Sequence, residues 1–139
     1  MEKSQRLLLT WLIEDTGLFA KIRPYIGPED FTEELYAQIA EILFGQYEAG
    51  AVNPAKIVSM FPEEEQQKKI ASLFHASLAG IETKQEREKA LKETIVRIKE
   101  NSIEYRQKHL DPADIAGLQK LVADKRRLQE IQNLHISID

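Results

Sequence analysis

The sequence predicts an all-α fold, a multi-helix bundle followed by a long helix and a C-terminal helical hairpin. Three observations favour this class. Apolar residues recur at spacings of three, four and seven along most of the chain. Glycines and prolines fall between the periodic segments, where helices begin and end. No segment alternates apolar and polar residues over the length of an ordinary strand. The 139 residues allow one core, or one core with a small appendage.

The composition is that of a globular chain, 42% hydrophobic and 30% charged. There is no cysteine, which excludes a disulfide framework and a thiolate metal site and suits a reducing cytoplasm. The apolar run Leu7–Ile13 is much shorter than the roughly 20 residues that span a bilayer, so we expect no membrane partner. Met1–Lys3 is also a poor opening for a signal peptide.

The net charge of −4 is unevenly distributed. Residues 1–62 contain nine acidic and five basic side chains, whereas residues 63–139 contain fourteen of each. A protein that binds phosphate backbones normally carries a basic face. An acidic first half and a neutral second half therefore argue against direct binding of nucleic acid.

The first helix, Ser4–Glu14, is apolar on all sides and includes Trp11, which predicts a central helix surrounded by others. Thr16 is the predicted cap of a second helix. Pro24 should kink that helix or shorten it to a turn or two, since proline removes a backbone donor.

The third predicted helix, Glu33–Ala49, follows a Thr32 cap, with Phe31 and Tyr36 arranged as a hydrophobic staple. Gly50 closes it in the left-handed position common after helices. Asn53-Pro54 then predicts a short helix as cap and first-turn proline.

A fifth helix opens with Glu63–Glu65, acidic residues where the helix dipole favours them, and should end at Gly80. Its predicted buried face is Ile70, Leu73, Phe74 and Leu78.

The longest predicted helix covers Thr83 to Lys108, about 26 residues and about 39 Å. Thr83, with Glu86 three residues later, is a capping box. An apolar stripe of Leu91, Ile95 and Ile98 continues as Ser102, Tyr105 and His109. We expect the first half to complete the bundle and the second half to project outward, because its stripe becomes polar. The predicted division is a bundle at residues 1–98 and a projecting hairpin at residues 99–139; the alternative is a single bundle with a partly solvated last helix.

The last helix is predicted to start at Asp111-Pro112 and has a regular apolar face. If the long helix cannot cover that face, part of it is an exposed partner site; if the helix folds back onto the bundle, the face is ordinary core. Under the first interpretation, Leu128→Asp or Ile131→Asp should weaken docking and leave the fold intact. Anchors for helix-to-helix docking would be spaced like Ile115, Leu118, Val122 and Leu128, although Leu118 could serve the hairpin. The predicted partner-binding residues are Leu121, Val122, Lys125, Arg126, Leu128, Ile131 and Leu134.

We find no set of residues typical of catalysis, and we expect no cofactor and no metal. His75, His109 and His135 fall on different predicted elements without carboxylates at ligand spacing. Glu63–Glu65 could hold a cation, but acids at a helix start explain the run as well. Lys125–Arg127 could contact phosphate, or form a solvated helix face beside Asp124 and Glu130.

The run from Leu7 to Phe61 resembles the C-terminal, helicase-binding domain of bacterial DnaG-type primases. The similar features are the apolar first helix, the short second one, the acidic turn with Phe31, the segment LYAQIAEILFGQYEAG and the short helix ending at Phe61. The long helix and hairpin at residues 83–139 complete the same order of elements. The replicative helicase's own N-terminal domain has a related fold, so the first 80 residues fit either; the last two helices favour the primase domain.

The resemblance implies a non-catalytic piece of a cytoplasmic primase, without the parts that synthesise primers and would use zinc and magnesium. Its hairpin would dock on the N-terminal domains of the hexameric helicase, its bundle would modulate the helicase, and it would be monomeric alone. Two alternatives stay open. One is the self-assembling N-terminal domain of the helicase, and the other is a small DNA-binding regulator.

Overall fold

A computed structural model describes residues 2–75 and 83–134 and confirms the all-α prediction, because these residues form helices and no strand. A 3₁₀ turn, Pro28–Asp30, lies between the second and third helices. The α-helices are α1 (Glu2–Glu14), α2 (Leu18–Ile22), α3 (Glu34–Ala49), α4 (Pro54–Ser59), α5 (Glu64–His75), α6 (Lys84–His109) and α7 (Ile115–Gln132).

Helix α1 lies at the centre of the bundle, as its sequence predicts. Leu8, Leu9 and Leu12 are fully buried and Trp11 is 1% exposed. Helices α2, α3, α5 and α6 all contact α1, so apolar residues on every side of it find partners. Burying each such side chain contributes roughly 1.5–3 kcal/mol relative to leaving it in water.

Local signals place several helix ends where the sequence predicts them. The Thr83 hydroxyl accepts the Glu86 N–H at 3.1 Å, and the Asn53 side chain accepts the Lys56 N–H at 3.3 Å. Gly50 has φ of 71°, the left-handed conformation that glycine adopts without a Cβ clash. Helix α2 ends at Ile22, before Pro24.

Three predicted caps are wrong. Helix α2 begins after Gly17 rather than Thr16, and without a side-chain cap. Helix α3 begins after Glu33, because the Thr32 hydroxyl instead accepts hydrogen bonds from the Gln5 and Asn101 amides, both at 2.9 Å.

The third error is the start of α7. Asp111-Pro112 forms a turn in which the Asp111 side chain accepts the Ala113 N–H at 2.9 Å. Asp114 caps the helix three residues later, accepting the Gly117 N–H at 2.9 Å. An aspartate can support either a turn or a cap, and the sequence offers one at both positions.

Helix α6 stays in the bundle for about one turn beyond Ile98, where its outward projection was expected to begin. Lys99 is 3% exposed, Ser102 1% and Ile103 6%. The stripe becomes polar there and still stays buried, because Lys99 and Ser102 pair with Asp30 inside the protein. The predicted boundary at residues 98 and 99 thus falls within a buried stretch of α6.

Helix α7 runs back along α6 and rejoins the bundle. The hairpin end, from Glu104 to Lys120, is mostly exposed. Ile131, by contrast, is fully buried within the main hydrophobic core, and Leu134 packs against it. The tip of the hairpin is therefore exposed, whereas its base is part of the core.

Some predictions lie outside the described residues: Leu78, the predicted end at Gly80, His135, and the side chains of Phe74 and His75.

Candidate interaction surface

Three apolar side chains are exposed along one side of α7. Ile115 is 68% exposed, Leu118 43% and Val122 59%. Their spacing of three and four places them on one helix face, which we call the outer stripe. Isolated exposed apolar residues are common on proteins, whereas three aligned on one helix form a surface that another helix or groove can cover.

A second side of α7, roughly a third of a turn around the helix from the outer stripe, faces α6 and the bundle, and we call it the inner face. Its members recur at spacings of three and four and are buried or half-buried: Gly117, Leu121, Asp124, Leu128 and Ile131. Because these residues already use the side of α7 that faces the protein, the outer stripe has no apolar cover from this helix pair. At the turn end, the backbone of α7 lies close to Leu110, the residue that follows α6. A Cβ on Gly117 would come within 2.7 Å of Leu110 Cδ1.

The predicted partner-binding residues divide between the two sides. Val122 lies in the outer stripe, and Lys125 and Arg126 are exposed one turn further along. Leu121, 5% exposed, and Ile131, fully buried, cannot serve as partner contacts without α7 leaving the bundle. This corrects the sequence-based assignment, which took one apolar face for the docking surface when α7 has two.

Leu128 and Leu134 are half-buried and supply little free surface. Two residues named only as possible anchors, Ile115 and Leu118, are the better exposed ones. The signal that could have separated them is positional, since Ile115, Leu118 and Val122 lie roughly a quarter to a third of a turn around the helix from the Leu121–Leu128 line.

The predicted basic run also divides. Arg127 turns toward the bundle, where its Nη1 donates to the Pro24 carbonyl. Lys125 and Arg126 remain at the surface, next to the end of the outer stripe. A partner whose rim is acidic would therefore meet favourable charge at one end of an apolar contact.

Tyr105 and His109 form a second feature of the hairpin end, on α6. Their rings stack with centroids 4.3 Å apart, and Tyr105 is 49% exposed. The His109 Nδ1 lies 2.8 Å from the Tyr105 carbonyl oxygen. This geometry gives His109 a structural partner within its own helix turn.

Sequence reasoning missed a buried charge network that joins the 3₁₀ turn, α6 and α7. Asp30 is fully buried, and the Lys99 ammonium lies 3.1 and 3.2 Å from its two carboxylate oxygens. The Ser102 hydroxyl and the Gly27 N–H donate to the same carboxylate at 2.8 and 3.0 Å. Four donations thus satisfy a charge that would otherwise be costly to bury.

Asp124 of α7 completes the network. Arg106 Nη1 lies 2.5 Å and Lys99 Nζ 3.6 Å from its carboxylate oxygens. Arg106 Nη2 is 3.5 Å from Asp30 but makes no hydrogen bond there, so this contact is coulombic only. Two anions and two cations balance within the network of Asp30, Lys99, Ser102, Arg106 and Asp124, which we call the Asp30 network.

A cleft of about 170 Å³ opens beside the Asp30 network, between the loop after α2 and the helices α6 and α7. Arg23 and Arg127 line it, as do Glu29, Lys99 and Asp124. Arg23 is also held over the Phe19 ring, 5.7 Å from its centroid. Charges of both signs face this space, so it does not resemble an anion-binding pocket.

An apolar groove lies on the bundle between α3 and α4. Ile42, Gly45, Ala49 and Met60 line it, and Met60 is 50% exposed. It is separate in sequence from the hairpin and forms a second surface to which a protein could bind.

Within residues 2–75 and 83–134, no three histidine, aspartate or glutamate side chains are grouped to hold a metal ion. Glu63 and Glu65 line a cleft with Glu33 and Glu34, and Lys69 lies among them. In the same part of the chain, no helix is both long and apolar enough to cross a membrane.

Comparisons with protein-family models, curated proteins and solved structures give no match to this chain.

Proposed function

We propose that this chain is the helicase-binding domain of a bacterial DnaG-type primase. It would carry no catalytic residue itself and would attach the primer-synthesising enzyme to the N-terminal domains of the hexameric replicative helicase in the cytoplasm. Zinc and magnesium would belong to other parts of that primase. The observation that carries the proposal is a helical bundle whose hairpin extends past the core and exposes the outer stripe.

The outer stripe supports docking because its three apolar residues lie where a partner can reach them. The hairpin end stands clear of the bundle, and both of its arms are mostly exposed from Glu104 to Lys120. Covering these side chains with a partner would remove apolar area from water, the main favourable term in association. A central anchor such as Leu118 or Val122 should contribute most, since central anchors are desolvated most completely.

Charge supports a protein partner rather than nucleic acid. Residues 1–62 are acidic, and the basic residues Lys99 and Arg106 are paired inside the Asp30 network. Lys125 and Arg126, beside the outer stripe, would speed association with an acidic rim on the helicase more than they would raise affinity.

The test is titration calorimetry with the purified hexameric helicase from the same organism. Val122→Asp should weaken binding at least tenfold, about 1.4 kcal/mol. Ala116→Asp is the matched control, because it places the same charge on the same helix away from the outer stripe, and it should leave affinity unchanged. Absence of wild-type binding, or equal effects of both variants, would refute the proposal.

Two further measurements separate the alternatives. Light scattering of the chain alone should give a monomer; dimers or rings would instead favour the helicase's own N-terminal domain. A salt-dependent shift in the mobility of DNA would favour a DNA-binding regulator, since such binding depends on phosphate contacts.

A further inference from the structure

The inner face of α7 contains a single charged residue. Gly117, Leu121, Leu128 and Ile131 are uncharged, and Asp124 lies in the middle of them with its side chain 13% exposed. An apolar residue at that position would be the ordinary choice for a helix packed on another. An aspartate at such a position gives no obvious gain in stability over a well-packed apolar residue. The role of Asp124 therefore requires another explanation.

Apolar contacts alone leave the arrangement of α7 poorly specified. The close approach of Gly117 to Leu110 places only the turn end of the helix. Beyond it, Leu121, Leu128 and Ile131 are similar in size, and apolar attraction has no direction. A shift of α7 by one turn would put Leu128 in the place of Asp124 and would again present an apolar side chain to α6.

Asp124, by contrast, can be satisfied in one place. Its carboxylate needs both Arg106 Nη1, at 2.5 Å, and Lys99 Nζ, at 3.6 Å. Lys99 is itself held by Asp30, which also accepts the Gly27 N–H and the Ser102 hydroxyl, and Arg106 Nε donates to the Ser102 carbonyl. A one-turn shift would separate Asp124 from both cations and leave buried charges unpaired, at a high cost. A buried polar residue fixes the register of coiled coils in the same manner.

We infer that Asp124 and Arg106 are positioning residues that select one register of α7 on α6, and thereby the direction in which the outer stripe points. The pair contributes specificity rather than stability, because buried ion pairs can often be replaced by apolar residues without loss of stability. Removing Asp124 and Arg106 together would leave the Lys99–Asp30 pair balanced.

The test uses the double variant Arg106→Met/Asp124→Leu in the full chain. Because the sequence has no cysteine, spin labels can be attached at cysteines introduced at exposed Gln119 of α7 and Glu41 of α3. Pulsed electron paramagnetic resonance then gives the distribution of distances between the hairpin and the bundle. The wild type should give one narrow distance, and the variant a distribution at least twice as wide or a second distance, with the same melting temperature.

The control is Glu104→Leu/Lys108→Met, which removes an equivalent ion pair that is exposed on α6 at 3.2 Å. It should retain the single narrow distance. A narrow distance in Arg106→Met/Asp124→Leu would overturn the inference, since apolar contacts would then suffice to set the register. Early melting of that variant would overturn it too, because the network would then supply stability.

The consequence for docking rests on the proposed function. If the outer stripe binds the helicase, Arg106→Met/Asp124→Leu should bind about fivefold more weakly, about 1 kcal/mol, although the stripe itself is intact. The distance measurement needs no helicase, so a failure of the proposed function and a failure of this inference are distinguishable.

Discussion

At the scale of single residues, Tyr47 joins α3 to the end of α1. Its hydroxyl donates to the Leu12 carbonyl, one of the last four carbonyls of α1, which lack an intrahelical partner. Its ring stacks on Phe19 with centroids 4.7 Å apart. Burial raises the pKa of Tyr47 above 10.0, and the negative charge of Asp15 raises it further. The protonated hydroxyl is therefore the form that the fold favours.

This pKa shift predicts a loss of stability in alkali. Because the folded state holds the Tyr47 proton more tightly than the unfolded chain, its contribution is complete below pH 10 and is lost as the pH rises through the folded pKa. Tyr47→Phe should cost about 0.5–1.5 kcal/mol at pH 8, from the lost hydrogen bond. Urea denaturation from pH 8 to 11 should show the two free energies of unfolding converging. A constant or growing difference would contradict the assignment.

Trp11 tests the centre of the core. It is 1% exposed in a helix surrounded by four others, so Trp11→Ala leaves a cavity and should cost roughly 3–5 kcal/mol. Thermal melting by circular dichroism measures the loss, with the exposed Gln38→Ala as control. Equal melting temperatures would place Trp11 outside the core.

Residue chemistry was predictable where its cause is local. Thr83, Asn53 and Gly50 act through neighbours within three or four residues, and the sequence identifies them correctly. Asp30 and Lys99 are 69 residues apart, and each alone looks like an ordinary surface charge. The available signal was that Lys99, Ser102 and Arg106 continue the buried side of α6 beyond Ile98 at helical spacing.

At the scale of elements, α7 is a helix with two different apolar sides. The sequence shows its apolar residues clearly, and their number suggested one wide docking face. The inner face takes Leu121 and Ile131 into contact with the protein, and the outer stripe keeps Ile115 and Val122 in water. Periodicity identified the helix correctly, but it could not decide which apolar side faces the bundle, because that depends on where α6 lies.

Paired substitutions on α7 separate the two sides. Ile131→Asp should cost at least about 3 kcal/mol, since it removes a buried side chain and places a carboxylate in the core. Val122→Asp, at a 59% exposed position, should change stability by less than about 0.5 kcal/mol. Urea denaturation of both variants measures the difference. Comparable losses would mean that the outer stripe is also core.

At the scale of the whole molecule, the hairpin and the bundle are one structure at the base and separate at the tip. Ile131 adds to the main core, and Asp124 adds to a network that reaches the 3₁₀ turn. The tip from Glu104 to Lys120 lies beyond the core and the network, and most of its residues are exposed. The chain therefore presents the outer stripe on an extension whose direction is determined by contacts at its base.

Removal of residues 111–139 tests this arrangement. If residues 1–98 formed a bundle by themselves, as the sequence predicts, loss of the hairpin would leave that bundle intact. With α7 packed on α6, its loss exposes Lys99 and Arg106 to water and removes Ile131 from the core. The remaining helices should therefore fold with about 2–5 kcal/mol less stability.

The comparison for that truncation is the full chain with Ile115, Leu118 and Val122 all changed to serine. This variant alters only the outer stripe and should unfold at the wild-type urea concentration, since all three positions are exposed. Under the proposed function both proteins lose helicase binding, but only the truncation loses stability. A truncated chain as stable as the full one would mean that α7 is an independent appendage, as the division at residues 98 and 99 implies, and that Ile131 adds nothing to the core.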